Sequence, residues 1–320
     1  MDEEPGRRAG RACQFCEIIP MASYARVIAA VLIVAVFVSG VAFFIRWDQT
    51  RPPPAAEQPA AVSPVREVIG YSVQGRPIEA YTYSAVPLNG SAGEASTTKL
   101  LFVGGIHGGY EWNSALLAYD FIDYLSAHPD FVPRGMNITV IPEANPDAVF
   151  KVTGKEGRFN AADVTGDKNV LTGARFNADG VDLNRNFDCK WSAISTWQNK
   201  RVSGGTAPFS EPESRAIRDF VLKTKPAAVV FWHSQSGNVY ASACRNGILQ
   251  ATLGIMNAYA AAAGYGAIKT FDAYATSGAG EDWLASIGIP ALTVELTTHQ
   301  DVEFEKNLAG VKAVIGYFEH

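Results

Sequence analysis

Leu100-Leu101-Phe102-Val103-Gly104-Gly105-Ile106-His107-Gly108-Gly109-Tyr110-Glu111 carries an apolar run through two glycine pairs into Trp112-Asn113-Ser114-Ala115-Leu116-Leu117. The run fits a short buried strand, the glycines let backbone approach closely, and apolar residues beyond Glu111 recur at helical spacing. A strand, a turn and a helix start would place His107 and Glu111 at the C-terminal edge of a sheet. Ligands bind along that edge in open α/β sheets, and an imidazole beside a carboxylate supplies two of the three protein ligands of a catalytic zinc ion. The motif is short, however. A turn histidine and a first-turn glutamate favoured by the helix dipole explain it equally well on local grounds.

The same construction recurs downstream. Ala227-Ala228-Val229-Val230-Phe231-Trp232 delivers His233-Ser234-Gln235-Ser236-Gly237 to a strand end, which makes His233 the third candidate ligand. Two imidazoles and one carboxylate leave a fourth position open, as hydrolytic zinc sites require. The chain has five histidines, and His128, His299 and His320 fall in loop or terminal contexts, whereas His107 and His233 each end an apolar run. Glu295 closes Ala291-Leu292-Thr293-Val294-Glu295, an acid in an apolar strand that costs stability unless paired or functional. Beside a zinc site it is the natural general base.

Around these motifs, residues 67–73 and 77–83 flank Gln74-Gly75-Arg76 and predict a hairpin at the sheet's edge. Strands are expected over 100–103, 137–141, 227–232 and 291–295, and helices over 112–125, 210–223, 249–263 and 303–317. Ser210 with Pro212 and Glu213 has the form of a helix cap. Strands alternating with helices imply an α/β fold with a mixed β-sheet flanked by helices. Residues 151–203 break the rhythm: rich in Gly, Asn, Asp and Arg, they read as a long functional loop. That loop holds Arg175 and Gly180-Val181-Asp182-Leu183-Asn184-Arg185-Asn186-Phe187, where planar guanidinium forks suit a carboxylate or a charge developing on a carbonyl oxygen.

The chain's 320 residues, 48% hydrophobic and 18% charged, allow one sizeable core with appendages. A net charge of -5 offers no broad basic surface, so nucleic acid is not an expected partner. Residues 27–45 carry no charge and are bracketed by Arg26 and Arg46, the pattern of a transmembrane helix. The apolar stretch is longer than a signal-peptide core and lacks an Ala-x-Ala exit, which favours an uncleaved signal-anchor over a cleaved signal. Met21 is an alternative start. The expected organisation is a cytoplasmic tail over 1–26, a single-pass transmembrane signal-anchor over 27–45, a Pro/Ala-rich linker over 46–64 and a catalytic domain over 65–320. Arg7, Arg8, Arg11 and Arg26 against Arg46 and Arg51 put the amino terminus inside and the catalytic domain outside the membrane. Cys13-Gln14-Phe15-Cys16 is a lone Cys-x-x-Cys pair. Cys189 and Cys244 would lie on the oxidising side, their pairing left open.

Taken in order, these pieces resemble the zinc carboxypeptidase family of the carboxypeptidase A type, including its bacterial murein-peptide members, over about residues 66–318. The resemblance rests on Ile69-Gly70-Tyr71-Ser72 with Gly75-Arg76-Pro77-Ile78, on Gly105-Ile106-His107, on Asn145-Pro146-Asp147, on Gly180 to Phe187, on Phe209 to Glu213, on His233-Ser234 and on Glu295. It implies one zinc ion held by His107, Glu111 and His233, with Glu295 as general base and Arg175 polarising the scissile carbonyl. It further implies Asn184 and Arg185 gripping a terminal carboxylate and Asp182 orienting His107. Tyr274-Ala275-Thr276-Ser277-Gly278-Ala279-Gly280-Glu281 looks like the family's mobile-tyrosine segment, with Tyr274 contacting substrate and Glu281 facing the side-chain pocket. An acid there would favour an amino-bearing side chain such as Lys, Arg or diaminopimelate.

One departure stands out: the family spaces its ligands His-x-x-Glu, and here three residues separate His107 from Glu111. The expected activity is that of a membrane-anchored metallocarboxypeptidase acting on peptides with a free C-terminus, cell-wall peptides among them, with no obligate protein partner. The alternatives are an amidase or deacylase of small N-acyl amino acids and a non-catalytic module that binds peptide ends.

Overall fold

The computed structural model describes residues 21–49, 63–85 and 98–319. The Cys13–Cys16 pair, most of the expected tail and most of the linker lie outside them. The chain divides into two compact units, Met1–Gln58 and Pro59–His320. In the first, helix α1 (Met21–Gln49) contains the expected span, and its stretch Ile28–Trp47 is long and apolar enough to cross a membrane. Its apolar side chains are exposed all round, Phe37 at 74% and Val36 at 72%, as a helix without a polar face requires.

The second unit is built on one eight-stranded sheet in the order β1-β2-β4-β3-β7-β10-β8-β9. Its strands are β1 (Val65–Tyr71), β2 (Pro77–Ser84), β3 (Thr98–Val103), β4 (Met136–Ile141), β7 (Ala228–Ser234), β8 (Asn238–Ala241), β9 (Gly266–Ile268) and β10 (Ala291–Leu296). A separate hairpin, β5 (Ile194–Trp197) with β6 (Lys200–Ser203), stands in the long loop. The predicted hairpin β1–β2 does form the sheet's edge. The centre, β4-β3-β7-β10, is parallel throughout, and antiparallel partners flank it at β2 and β8.

Central strands buried on both sides divide their residues by parity. Phe102, Val230, Trp232 and Val294 face α2 (Trp112–Ala127), α6 (Gln250–Ala263) and α8 (Phe304–Phe318) in one core. Leu101, Val103, Val229 and Phe231 face α5 (Pro212–Thr224) and α7 (Gly280–Ser286) in the other. Two layers of helix therefore sandwich the centre of the sheet and leave its strand ends open, while the edge strands β1 and β9 stay largely exposed.

The structure adds elements that the sequence reading treated as loop. Helix α3 (Pro146–Thr153) follows β4 after four residues, capped by Asn145, whose side chain accepts the Ala148 N–H, and ended by Gly154 in the left-handed conformation. Helix α4 (Lys168–Gly173) is capped by Asp167. The stretch 151–203, expected as a long loop, thus contains α4, β5 and β6, held by hydrogen bonds too local to show as hydrophobic periodicity.

Candidate active site

Adjacent parallel strands β3, β7 and β10 end at one edge of the sheet, and each brings a chemical group there. His107 follows β3, His233 lies within β7, and Glu295 on β10 stands level with His233 in the strand register. Glu111 arrives from the turn. One ligand atom from each of His107, Glu111 and His233 lies within 4.8 Å of the others, and all three residues are buried.

The extra residue between His107 and Glu111 is absorbed by a 3-10 turn, Gly108–Glu111. Helix α3 presses against this turn: a Cβ on Gly108 would sit 2.2 Å from Ala148 Cβ, and one on Gly109 2.5 Å from Val152 Cγ1. Gly108 also adopts φ +47°, so glycine is required there on two counts. The unusual spacing is thus compatible with Glu111 reaching the cluster.

Carboxylates and cations interlock beneath it. Glu111 Oε2 lies 3.1 Å from His233 Nδ1 and accepts the Ser234 N–H at 3.2 Å. Arg175 donates from Nε to Asp182 Oδ2 at 2.9 Å and from Nη1 to Glu111 Oε1 at 3.5 Å, while its guanidinium lies 4.6 Å from the centre of the Trp197 ring. Asp182 Oδ1 faces His107 Nδ1 at 3.5 Å, just beyond a hydrogen bond.

Electrostatics match a cation site. Burial, then Arg175, pulls His107 well below the usual imidazole range, so it offers a neutral ligand. Burial opposes charge on His233 too, yet the hydrogen bond to Glu111 and the charges of Glu111, Glu295 and Glu281 outweigh it and push the group up to about 9. Those carboxylates ask for positive charge at this point. Burial and the Glu111 charge push Glu295 up to about 8. His233 Nε2 is buried without a hydrogen-bond partner, a condition that costs about 1–3 kcal/mol. Two imidazoles and a carboxylate with an orphaned nitrogen are a donor set that fits zinc.

The other end of the cleft is loop-built. Asn184 Oδ1 accepts the Gly280 N–H at 2.7 Å and its Nδ2 donates to Glu281 Oε1 at 3.4 Å. Arg185 uses Nη1 on Asn184 O and Nε on Thr196 O, and its Nη2 makes no hydrogen bond among the described residues. Glu281 Oε1 also accepts from Thr293 Oγ1 at 2.9 Å, while its Oε2 is buried and unpartnered. Tyr274 lines the cleft with its ring edge-on to Phe271. A disulfide joins Cys189, which lines the cleft, to Cys244, with Cα atoms 6.1 Å apart.

Every predicted site residue except the fully buried Asp182 lines this one cleft. Sequence reasoning missed Tyr110, Trp197 and His299, which also line it. Tyr110 packs edge-on against both Trp197 and His299. His299 follows the end of β10 as closely as His107 follows β3, a signal that the rule about strand ends already contained.

Residues 55–309 match the zinc carboxypeptidase family (Peptidase_M14). Carboxypeptidase O of Bos taurus is 35% identical over 133 residues, 37% of this chain and 36% of its own length. Murein peptide amidase A of Escherichia coli K12 is 29% identical over 133 residues, 38% of this chain and 51% of its own. The chain thus spans about a third to a half of the length of these relatives. Carboxypeptidase A from Helicoverpa armigera shares the fold with a TM-score of 0.61 at 20% identity, covering 80% of this chain and 68% of that one. Murein-tripeptide amidase MpaA from Escherichia coli O157 does so at 0.54 and 23%, covering 83% and 97%. The family match takes in the whole His-Glu-His cluster and all ten strands among the described residues, and on that extent the chain belongs to the zinc carboxypeptidase family.

Proposed function

We propose that this protein is a membrane-anchored metallocarboxypeptidase that hydrolyses the peptide bond beside a free C-terminal carboxylate, with cell-wall peptides as its substrate class. The carrying observation is the level register of Glu295 and His233 on neighbouring strands, which sets a carboxylate beside the His107–Glu111–His233 cluster. Those three residues would hold a zinc ion, which when bound supplies a Lewis acid for the scissile carbonyl.

Asp182 faces His107 and orients its ring, as a ligating imidazole requires. Glu295 takes a proton from the attacking water on its carboxylate and delivers it to the leaving nitrogen. Arg175, fixed by Asp182 and Trp197, donates to the carbonyl oxygen as negative charge gathers there. Arg185 offers the free edge of its guanidinium to the terminal carboxylate, with Asn184 beside it. Tyr274 contacts the substrate's last residue from the cleft wall. The unpartnered Glu281 Oε2 accepts from an amino group on that residue's side chain, which selects Lys, Arg or diaminopimelate.

Murein peptide amidase A and a gamma-D-glutamyl-L-diamino acid endopeptidase of Lysinibacillus sphaericus, both relatives by sequence, support the cell-wall assignment. Helix α1 serves as a single-pass anchor with the amino terminus inside, and the Cys189–Cys244 disulfide supports an oxidising location for the catalytic unit. Elemental analysis of the detergent-solubilised chain should find about one zinc per chain in this type of site. A screen of peptides varying only in the last residue should release that residue. Active protein without metal, or cleavage that ignores the free carboxylate, sinks the proposal.

A further inference from the structure

Granting the peptidase reading on which it rests, we infer that His299 is a substrate-binding residue: its Nε2 accepts a hydrogen bond from the backbone N–H of the residue on the amino side of the scissile bond. The hydrogen bonds that fix the His299 ring start at Asn113, which is fully buried at the start of α2. Asn113 Nδ2 donates to the carbonyl oxygens of Thr298 at 2.7 Å and Asp301 at 2.9 Å, and these partners can only accept, so the amide's orientation is fixed. Asn113 Oδ1 must then accept from Ser234 Oγ at 2.9 Å.

That bond uses the one proton of the serine hydroxyl. Ser234 Oγ also lies 2.6 Å from His299 Nδ1, and with its proton committed it can only accept, so Nδ1 carries the hydrogen. A neutral imidazole protonated at Nδ1 presents a lone pair at Nε2. Burial holds the ring below its ordinary range and so keeps it neutral. Nε2 has no hydrogen-bond partner among the described residues, and the ring lines the cleft, steadied by Tyr110 at 4.7 Å.

An acceptor fixed in this way needs a donor from the ligand. His299 contacts Ser234 and Tyr110, and Glu111 and Arg175 are the charged groups that act on it. It makes no hydrogen bond or ring contact with Asn184, Arg185, Tyr274 or Glu281, which form the proposed carboxylate end. The substrate's amino side is therefore the part that reaches it, and the donors of a peptide there are its backbone N–H groups.

Benzoyl-glycyl-lysine and benzoyl-sarcosyl-lysine differ only by a methyl on the nitrogen in question and provide the test with the zinc-loaded full chain. His299→Leu should lower kcat/KM for the glycyl substrate about tenfold, the worth of one hydrogen bond, and leave the sarcosyl substrate within about twofold. His299→Gln, whose amide oxygen can still accept, should retain most of the glycyl rate. Equal loss on both substrates would reduce His299 to a support for Ser234 and overturn the inference, as would no loss on either. Calorimetric binding of the same pair to the Glu295→Gln protein, with and without His299→Leu, reads the contact without turnover. A glycyl preference of about tenfold that the leucine abolishes upholds the contact even if the peptidase reading fails, and its absence overturns the contact even if peptides are cleaved.

Discussion

At one end of the cleft the chemical groups hang from strand ends: His107 behind β3, His233 within β7, Glu295 within β10, and Glu111 on a glycine turn pinned by α3. At the other end Asn184, Arg185, Tyr274 and Glu281 come from loops and the start of a short helix. What holds that second end is cross-linking between distant segments. Gly278 donates to Cys189 O at 2.8 Å, Phe187 donates to Gly278 O at 2.9 Å, Gly280 donates to Asn184 Oδ1, and the disulfide ties Cys189 to Cys244. The metal end is a property of the sheet's topology, so it cannot drift without rebuilding the core. The pocket end depends on a few bonds, so it can be redrawn while the chemistry stays.

The largest test of this contrast is Glu295→Gln. With Glu295 as the proposed general base, the change should lower kcat by about 10²–10⁴ while elemental analysis finds the zinc content unchanged. A loss of zinc in the same variant would show that Glu295 belongs to the ligand set. Next comes the double change Cys189→Ser, Cys244→Ser, which should cost about 2–4 kcal/mol of stability in a denaturant titration. KM should rise more than kcat falls, and zinc should stay bound. Metal loss on cutting the disulfide would erase the distinction between the two ends.

Glu281→Gln should be smaller again, lowering kcat/KM for a C-terminal lysine about tenfold to a hundredfold relative to a C-terminal leucine. An unchanged ratio would remove Glu281 from the pocket's selectivity. The smallest effect on turnover is expected at Glu143, which is buried, does not line the cleft and accepts from the Tyr119 hydroxyl at 2.9 Å. Burial pushes it up to about 8 from an ordinary value of 4.5. The native state therefore keeps a proton that the unfolded chain releases, and stability falls as pH rises from about 4.5 to about 8, by up to about 1.4 kcal/mol per unit. Glu143→Gln should flatten that slope in pH-dependent unfolding without altering KM.

What the sequence made legible follows the same division. His107, His233 and Glu295 each end an apolar run, and a run of that kind is a local pattern. Glu111 was readable as a candidate despite its spacing because two glycines preceded it. The hairpin β5–β6 and strands β8 and β9 were not readable. They have three or four residues each, and they exist because a neighbour pairs with them, as β10 pairs with β8. Trp197 was hidden with its hairpin, and with it the aromatic face under Arg175. Helix α3 was a different kind of miss: Asn145 as cap, Pro146 at the first position and Gly154 past the end were all in view. Its eight residues make only about two turns, too short for an apolar period to show.

Glu111 and His233 stand 122 positions apart and meet only because β3 and β7 lie side by side. If these residues hold the zinc ion, an unfolded chain offers at most the local His107–Glu111 pair, and strong affinity would arise only after the long-range sheet has closed. Tight binding of the ion and completion of the fold would then be one thermodynamic event, and a chelator should lower the melting temperature of the unit Pro59–His320 as well as silence it.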